Sequence, residues 1–120
     1  MAAQKDALKE GLSKSSEVNI TVTGRKSGRA ISLPIWFVLD EAELDLLPVK
    51  GSDTQWYRNV LKNPSIQIAA GSAKAELKAV PITDAKQVKS VIEKFRAKYG
   101  TGDVKKYYSK LDVAVITPLR

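Results

Sequence analysis

Two runs of alternating apolar and polar residues flank a short, glycine-bracketed basic segment, and this constrains the fold more than any other stretch of the chain. From Glu17 to Thr23, Val18, Ile20 and Val22 alternate with Asn19, Thr21 and Thr23. After Gly24-Arg25-Lys26-Ser27-Gly28, the residues Ile31, Leu33, Ile35, Phe37 and Leu39 alternate with Ala30, Ser32, Pro34, Trp36 and Val38. A period of two is that of a half-buried strand, so the two runs predict an antiparallel hairpin. Pro34 lacks the N–H a ladder needs, so it should mark an edge, a bulge or a point where the sheet opens.

The rest of the chain reads in the same terms. Gln4 to Ser13 predicts a short helix with Leu8 and Leu12 four apart, weakened by Gly11. A polar turn over Asp40 to Glu43 leads into a third strand, Leu44 to Lys50. Ser52 followed by Gln55 fits a capping box for a helix running to about Lys62, which Asn63-Pro64 stops. Ser65 to Ala70 and Ala73 to Ile82 predict a second hairpin around Gly71-Ser72. Asp84 with Gln87 caps a helix whose Val88, Val91, Ile92, Phe95 and Tyr99 make one apolar stripe. Gly100-Thr101-Gly102 breaks it, Asp103 to Ser109 adds a further helical turn, and Leu111 to Thr117 gives a last strand. The expected fold is mainly β with inserted helices, an α+β barrel of about six antiparallel strands. One domain is expected over residues 1–120: an N-terminal helix (1–14), a barrel core (15–82), a helical segment (84–109) and a closing strand (111–117).

Composition excludes several kinds of chemistry. The chain has no cysteine and no histidine, which removes thiolate nucleophiles, disulfides and the commonest metal ligand and general base. No metal site is expected. The longest apolar stretch, Leu33 to Leu39, contains Pro34 and falls far short of the ~20 residues of a membrane span. Met1 to Glu10 has no apolar segment of the signal-peptide kind. A cytoplasmic protein without stable membrane insertion is expected. The net charge of +7 admits nucleic acid, an anionic surface or a polyanionic small molecule as partner.

Three groups of residues suggest binding chemistry. The loop Gly24 to Gly28 offers Arg25, Lys26, the Ser27 hydroxyl and free backbone N–H groups to a small anion, although an exposed basic turn needs no ligand to explain it. Lys50-Gly51, after Leu47-Pro48-Val49 and just before an expected helix start, provides a second basic element. Trp56-Tyr57-Arg58-Asn59 reads chiefly as helix packing, with Arg58 or Asn59 able to reach a ligand. Trp36, opposite Ile35 and Phe37, either packs under a helix or walls a site for a planar ring. Lys105-Lys106-Tyr107-Tyr108 interleaves cations with aromatics but carries no nucleic-acid signature, so no nucleic-acid partner is expected. A tyrosine over a bound cofactor would serve as proton donor in the absence of histidine, with Tyr107 and Tyr108 the candidates.

Thr23-Gly24-Arg25-Lys26-Ser27-Gly28-Arg29, Leu33-Pro34-Ile35-Trp36-Phe37, Lys50-Gly51, Trp56-Tyr57-Arg58-Asn59 and Asn63-Pro64, in this order and spacing, resemble the deazaflavin-dependent nitroreductase family. The resemblance covers roughly residues 15–82, with Asp112-Val113-Ala114-Val115 similar to the family's closing strand. It implies a split β-barrel related to the FMN-binding pyridoxamine-phosphate-oxidase-like proteins, often dimeric. It also implies an oxidoreductase that uses the reduced deazaflavin coenzyme F-420, with its phosphodiester and oligoglutamate tail, to reduce an electron-poor small-molecule acceptor. On this resemblance Arg25, Lys26, Ser27 and Gly28 would hold the phosphate, and Ile31, Ser32, Leu33, Pro34 and Ile35 would line the ring. Val49, Lys50 and Gly51 would meet the phosphate or ring edge, while Trp56, Tyr57 and Asn59 would close over the cofactor. FMN is the alternative cofactor, and a non-catalytic carrier of a flavin-like, tetrapyrrole or lipid ligand is the alternative function.

Overall fold

The computed structural model describes residues 2–40 and 42–119, with backbone alone for residues 2–6. The first hairpin forms as the alternation predicts: β1 (Val18–Thr23) and β2 (Ala30–Ile35) pair from Val18 opposite Ile35 to Thr23 opposite Ala30. β1 pairs on its other side with β5 (Ser65–Ala70), which turns at Gly71 into β6 (Ala73–Lys78). Gly71 has a φ of 62°, a left-handed value that favours glycine. The sheet order is β2-β1-β5-β6, so β2 with Pro34 lies at an edge. A second sheet has the order β3-β4-β8-β7, built from β3 (Phe37–Asp40), β4 (Glu43–Leu46), β7 (Val80–Ile82) and β8 (Ala114–Pro118). Every pairing within the two sheets is antiparallel.

The architecture is α+β, with eight strands among the described residues rather than about six. The difference comes from two corners. The run from Ala30 divides at Trp36 into β2 and β3, and the run from Ala73 divides at Ala79 into β6 and β7. At each corner the chain leaves one sheet for the other, and a single residue makes the passage. At the first corner both halves of the run face a shared interior, so the apolar alternation continues across it and gives no sign of it; at the second, Ala75, Leu77 and Ala79 face that interior whereas Ile82 packs on the other face of the second sheet.

Other boundaries also shift for identifiable reasons. The third strand stops at Leu46, short of Lys50, and Lys50 makes only an isolated bridge to Lys110. Pro48 lies between them and offers no ladder donor. The turn expected over Asp40 to Glu43 includes Glu41, which lies outside the described residues. The capping box at Ser52 and Gln55 does not form: Ser52 sits in a 3-10 turn (Gly51–Asp53), and α2 (Gln55–Lys62) starts after Thr54. The Ser52 amide and hydroxyl instead donate to the Asp112 carboxylate at 2.9 and 2.6 Å. The cap of α3 (Ala85–Tyr99) does form, with Asp84 accepting from the Gln87 N–H at 3.0 Å. Gly100, at φ 94°, separates α3 from α4 (Thr101–Tyr107), which begins two residues before the expected Asp103.

Two apolar clusters hold these elements together. One lies between the sheets and includes Ile20, Phe37, Leu44, Leu46, Trp56 and Ile68, closed at one side by Leu8 and Leu12 of α1 (Ala2–Ser13). The other lies between the second sheet and helices α3 and α4, and includes Val38, Leu47, Val91, Phe95, Val104 and Ala114. Adjacent residues such as Phe37 and Val38, or Ala114 and Val115, enter opposite clusters. The second sheet is therefore covered on both faces, which is why adjacent apolar residues occur in β3 and β8.

Gly11 has a packing role that helix propensity alone does not show. A Cβ at this position would lie 2.7 Å from the Ala70 carbonyl oxygen. Gly11→Ala should therefore destabilise the protein by about 1–3 kcal/mol through overpacking, although alanine is the better helix former by ~1 kcal/mol. Urea unfolding of the two proteins measures the sign, and a more stable variant would contradict this close approach.

A buried carboxyl gives a second prediction. Asp45 is fully buried, and its Oδ2 accepts from Lys94 Nζ at 3.1 Å, while Lys94 also donates to Asp40. Burial, reinforced by Glu43 and opposed by Lys94, pushes the Asp45 carboxyl up to about 7. Its folded pKa therefore exceeds its unfolded value, so the native state retains a proton that the unfolded chain has lost. The Asp45 contribution to stability should be fullest below about pH 4, decline as pH rises toward 7, and stay flat above. In urea titrations across this range, Asp45→Asn should gain stability relative to the wild type as pH rises; a constant difference would refute the assignment.

Candidate functional site

The β1–β2 turn is ordered by its own backbone and by helix α2. The Gly24 N–H donates to the Arg29 carbonyl at 2.8 Å, and the Gly28 N–H donates to the Gly24 carbonyl at 2.9 Å. Gly28 adopts a φ of 72°, and the Ser27 hydroxyl oxygen accepts the Arg29 N–H at 3.2 Å. Arg25 folds back onto α2. Its amide and one guanidinium nitrogen donate to Asn59 Oδ1 at 3.1 and 2.8 Å, and the other terminal nitrogen donates to Gln55 Oε1 at 2.8 Å. Both acceptors are neutral amides, and among the described residues Arg25 has no carboxylate partner. The guanidinium is thus fixed in place with its charge uncompensated, which suits it to an anion.

Gln55 also belongs to a cavity of about 390 Å³. Leu33, Pro34, Ile35 and Trp36 line it from the edge strand and its corner; Leu47 and Val49 line it from the chain after β4. Thr54, Gln55 and Trp56 contribute from the start of α2, Tyr107 and Tyr108 from the end of α4, and Glu17 from the start of β1. The walls are mainly apolar and aromatic, which suits a planar ring. Trp36 meets both expectations for it. It stacks on Tyr99 of α3 with centroids 4.2 Å apart and planes 10° apart, and it also lines the cavity.

The residues implied by the resemblance fall into three groups. Leu33, Pro34, Ile35, Val49 and Trp56 line the cavity, and Arg25 reaches its rim through Gln55. Lys26, Ser27 and Gly28 are exposed in the adjoining turn, while Ile31 and Ser32 are exposed farther along β2 toward that turn. Asn59 and Tyr57 are buried; Asn59 positions Arg25, and Tyr57 belongs to the core between the sheets. Burial, and then the Asp112 charge, push the Tyr57 phenol above its ordinary range. Lys50 is exposed and donates its amide to the Thr54 hydroxyl at 2.8 Å. Gly51 is buried against Asp112, whose Oδ1 an added Cβ would overlap. The amide and hydroxyl of the neighbouring Ser52 thus already serve a carboxylate of the same chain.

Tyr107 is half exposed at the cavity mouth, whereas Tyr108 is buried. Burial, and then neighbouring Tyr99, push the Tyr108 phenol well above its ordinary range, so it stays protonated. Glu17, Leu47, Thr54 and Gln55 line the cavity without having been singled out as site residues in the sequence. For Gln55 a signal was present: it is four residues before Asn59, hence on the same helix face toward the basic loop. Glu17 carries no comparable local signal.

Several solved structures share this arrangement of elements. An F-420-H2-dependent reductase is similar at a TM-score of 0.67 and 21% identity, over 85% of this chain and 93% of that one. HutZ, the heme storage protein from Vibrio cholerae, is similar at a TM-score of 0.69 and 15% identity, over 94% and 87%. A candidate pyridoxamine 5′-phosphate oxidase from Listeria innocua is similar at a TM-score of 0.68 and 12% identity, over 94% and 90%. At these identities the likeness is one of fold. Curated proteins give no sequence match. A family model does match, across residues 9–115, and the chain belongs to that family, described as an uncharacterized protein conserved in bacteria (DUF2255).

Proposed function

We propose that this protein is a cytoplasmic oxidoreductase that binds the reduced deazaflavin coenzyme F-420. Its substrate is an electron-poor organic acceptor such as a nitroaromatic, quinone or enone. The observation that carries this reading is Arg25, held by Asn59 and Gln55 beside an aromatic cavity and without a carboxylate partner among the described residues. The arrangement joins an anion-binding element to a slot for a planar ring, and a phosphate-bearing flavin or deazaflavin has both features.

The residues divide the work by chemistry. Arg25, Lys26 and Ser27 hold the phosphate, Arg25 as a preorganised fork and Lys26 as a mobile point charge. Leu33, Pro34, Ile35, Val49 and Trp56 provide apolar walls that orient the ring and exclude water. The bound cofactor supplies hydride transfer, for which no protein nucleophile is required. Tyr107 covers the mouth, and Tyr108 keeps its phenolic proton within the cavity. FMN is the alternative cofactor, since its terminal phosphate suits the same loop. The reading includes a homodimer, as the sequence resemblance implies.

Fluorescence titration of the ligand-free protein with coenzyme F-420 and with FMN tests this reading. Saturable, selective binding of the deazaflavin is expected, followed by turnover with a quinone or nitroaromatic acceptor. Binding of neither cofactor would refute it. Arg25→Ala should weaken cofactor binding by about 1.5–3 kcal/mol, the range for a charge-assisted hydrogen bond. Asn59→Asp should also weaken it while leaving Arg25 in place, because the new carboxylate would compete with phosphate for the guanidinium.

A further inference from the structure

The cavity is electrically lopsided. The chain has 20 lysines and arginines, yet among the described residues none of them lines the cavity, where Glu17 is the one formally charged residue. Strand β1 sets the polarity. Glu17 immediately precedes this six-residue strand, and Gly24-Arg25 immediately follow it, so their backbones stand at opposite ends of a strand ~20 Å long at ~3.3 Å per residue. Among the described residues Glu17 has no ion-pair partner.

The aromatic residues gather at the Glu17 end. Ile35 lies opposite Val18, so Trp36 follows at the end of the hairpin where Glu17 stands. The Trp36 ring is 5.5 Å from Tyr107 at an interplanar angle of 78°, and 6.1 Å from Tyr108 at 55°. Stacking on Tyr99 fixes its orientation. Burial, and to a smaller degree the nearby Glu17 charge, push the Tyr99 phenol up, so the carboxylate is felt at this wall.

We propose that the Trp36, Tyr107, Tyr108 and Glu17 end of the cavity recognises a planar aromatic cation, such as an N-alkylated pyridinium or quinolinium ring, and forms the acceptor end of the site. The role as acceptor end rests on the reductase reading above; the charge preference does not. Ring faces attract a desolvated cation through their quadrupole, and Glu17 adds a short-range Coulomb attraction. An anionic ring would meet the Glu17 carboxylate, and the cations near these rings lie outside the lining: Lys98 is engaged by the Phe37 carbonyl at 2.8 Å, and the exposed Lys106 ammonium is 5.3 Å from the Tyr107 ring centre. Glu17 and Lys106 are both exposed and screened alike, while charges beyond about 8 Å are largely screened at physiological ionic strength, so the ring faces and the lining carboxylate set the preference.

The test uses the full chain without cofactor and follows tryptophan fluorescence with three probes of similar shape: N-methylquinolinium, 1-methylnaphthalene and 1-naphthoate. The cation should bind about tenfold more tightly than the neutral ring, with the anion weakest. In Glu17→Gln the affinity for 1-methylnaphthalene should be unchanged, which reports an intact cavity, while the advantage of the cation shrinks several-fold. Equal affinities in the wild type, tighter binding of 1-naphthoate, or an undiminished cation preference in Glu17→Gln would overturn the proposal. Because no cofactor is present, these results are independent of the cofactor titration. Failure of coenzyme F-420 and FMN to bind would remove the reductase reading and leave the charge preference to stand or fall here.

Discussion

The corner at Trp36 and Phe37, and the clamp that α3 places on it, determine how the rest of the structure is arranged. Where the chain leaves one sheet for the other, backbone groups lose their ladder partners and must find others. The Tyr99 hydroxyl accepts the Phe37 N–H at 3.1 Å and lies 2.7 and 2.8 Å from the carbonyls of Ser16 and Phe37. Lys98 donates to the same Phe37 carbonyl at 2.8 Å, with its ammonium 3.5 Å from the centre of the Phe37 ring. Burial holds the Lys98 amine below its ordinary range, so this cation contributes to the corner at some desolvation cost. With the corner fixed, Trp36 stacks on Tyr99, and Tyr107 and Tyr108 close around it from the end of α4. The aromatic wall of the cavity is therefore a consequence of how the two sheets are joined.

Charge is arranged with comparable economy. Around Lys50 and Gly51, Arg58 bonds Asp53 at 3.0 Å, and Lys110 lies 3.2 Å from Asp53 and 3.7 Å from Asp112, while Lys50 itself is exposed without a carboxylate partner among the described residues. Desolvation works against the Asp112 carboxylate, yet the Ser52 donors and Lys110 outweigh it and hold the group below its ordinary range. The 3-10 turn that might have received an external anion is internally satisfied. The β1–β2 turn differs, since Arg25 is held by amides and Lys26 and Arg29 are exposed without carboxylate partners among the described residues. A net charge of +7 says only that some anion is favoured. What distinguishes the β1–β2 turn is a guanidinium held in place by neutral amides.

Local rules recovered much of the fold because much of it is locally encoded. The β1–β2 hairpin follows from the two-residue period, the second hairpin from Gly71, and the start of α3 from Asp84. The misses have tertiary causes. Alternation cannot show a corner such as Trp36 when both flanking strands face one interior, and a capping motif such as Ser52 and Gln55 cannot reveal that each residue has a better distant partner, in Asp112 and Arg25. The candidate site divides in the same way. Its basic turn and edge strand are legible as a contiguous pattern, whereas Glu17 and the closing tyrosines meet only through the packing of three separate segments.

The fold alone leaves the ligand open, because it is shared with a heme storage protein as well as with an F-420-H2-dependent reductase. Side-chain chemistry separates these possibilities. Protein ligands to haem iron are drawn mainly from histidine, cysteine, methionine and tyrosine, and this chain has no histidine, no cysteine and a single methionine at position 1. Of the residues lining the cavity, Tyr107 and Tyr108 alone belong to that set, and burial keeps the Tyr108 phenol protonated rather than anionic. An organic ring needs no such ligand. It needs flat apolar walls, an oriented cation for its phosphate and an opening for a second molecule, which correspond to Trp36 and Trp56, Arg25, and the mouth beside Tyr107. Among the described residues lining the cavity, a haem iron would therefore find only tyrosine, whereas flat apolar walls and the nearby Arg25 match what the proposed flavin-like cofactor requires.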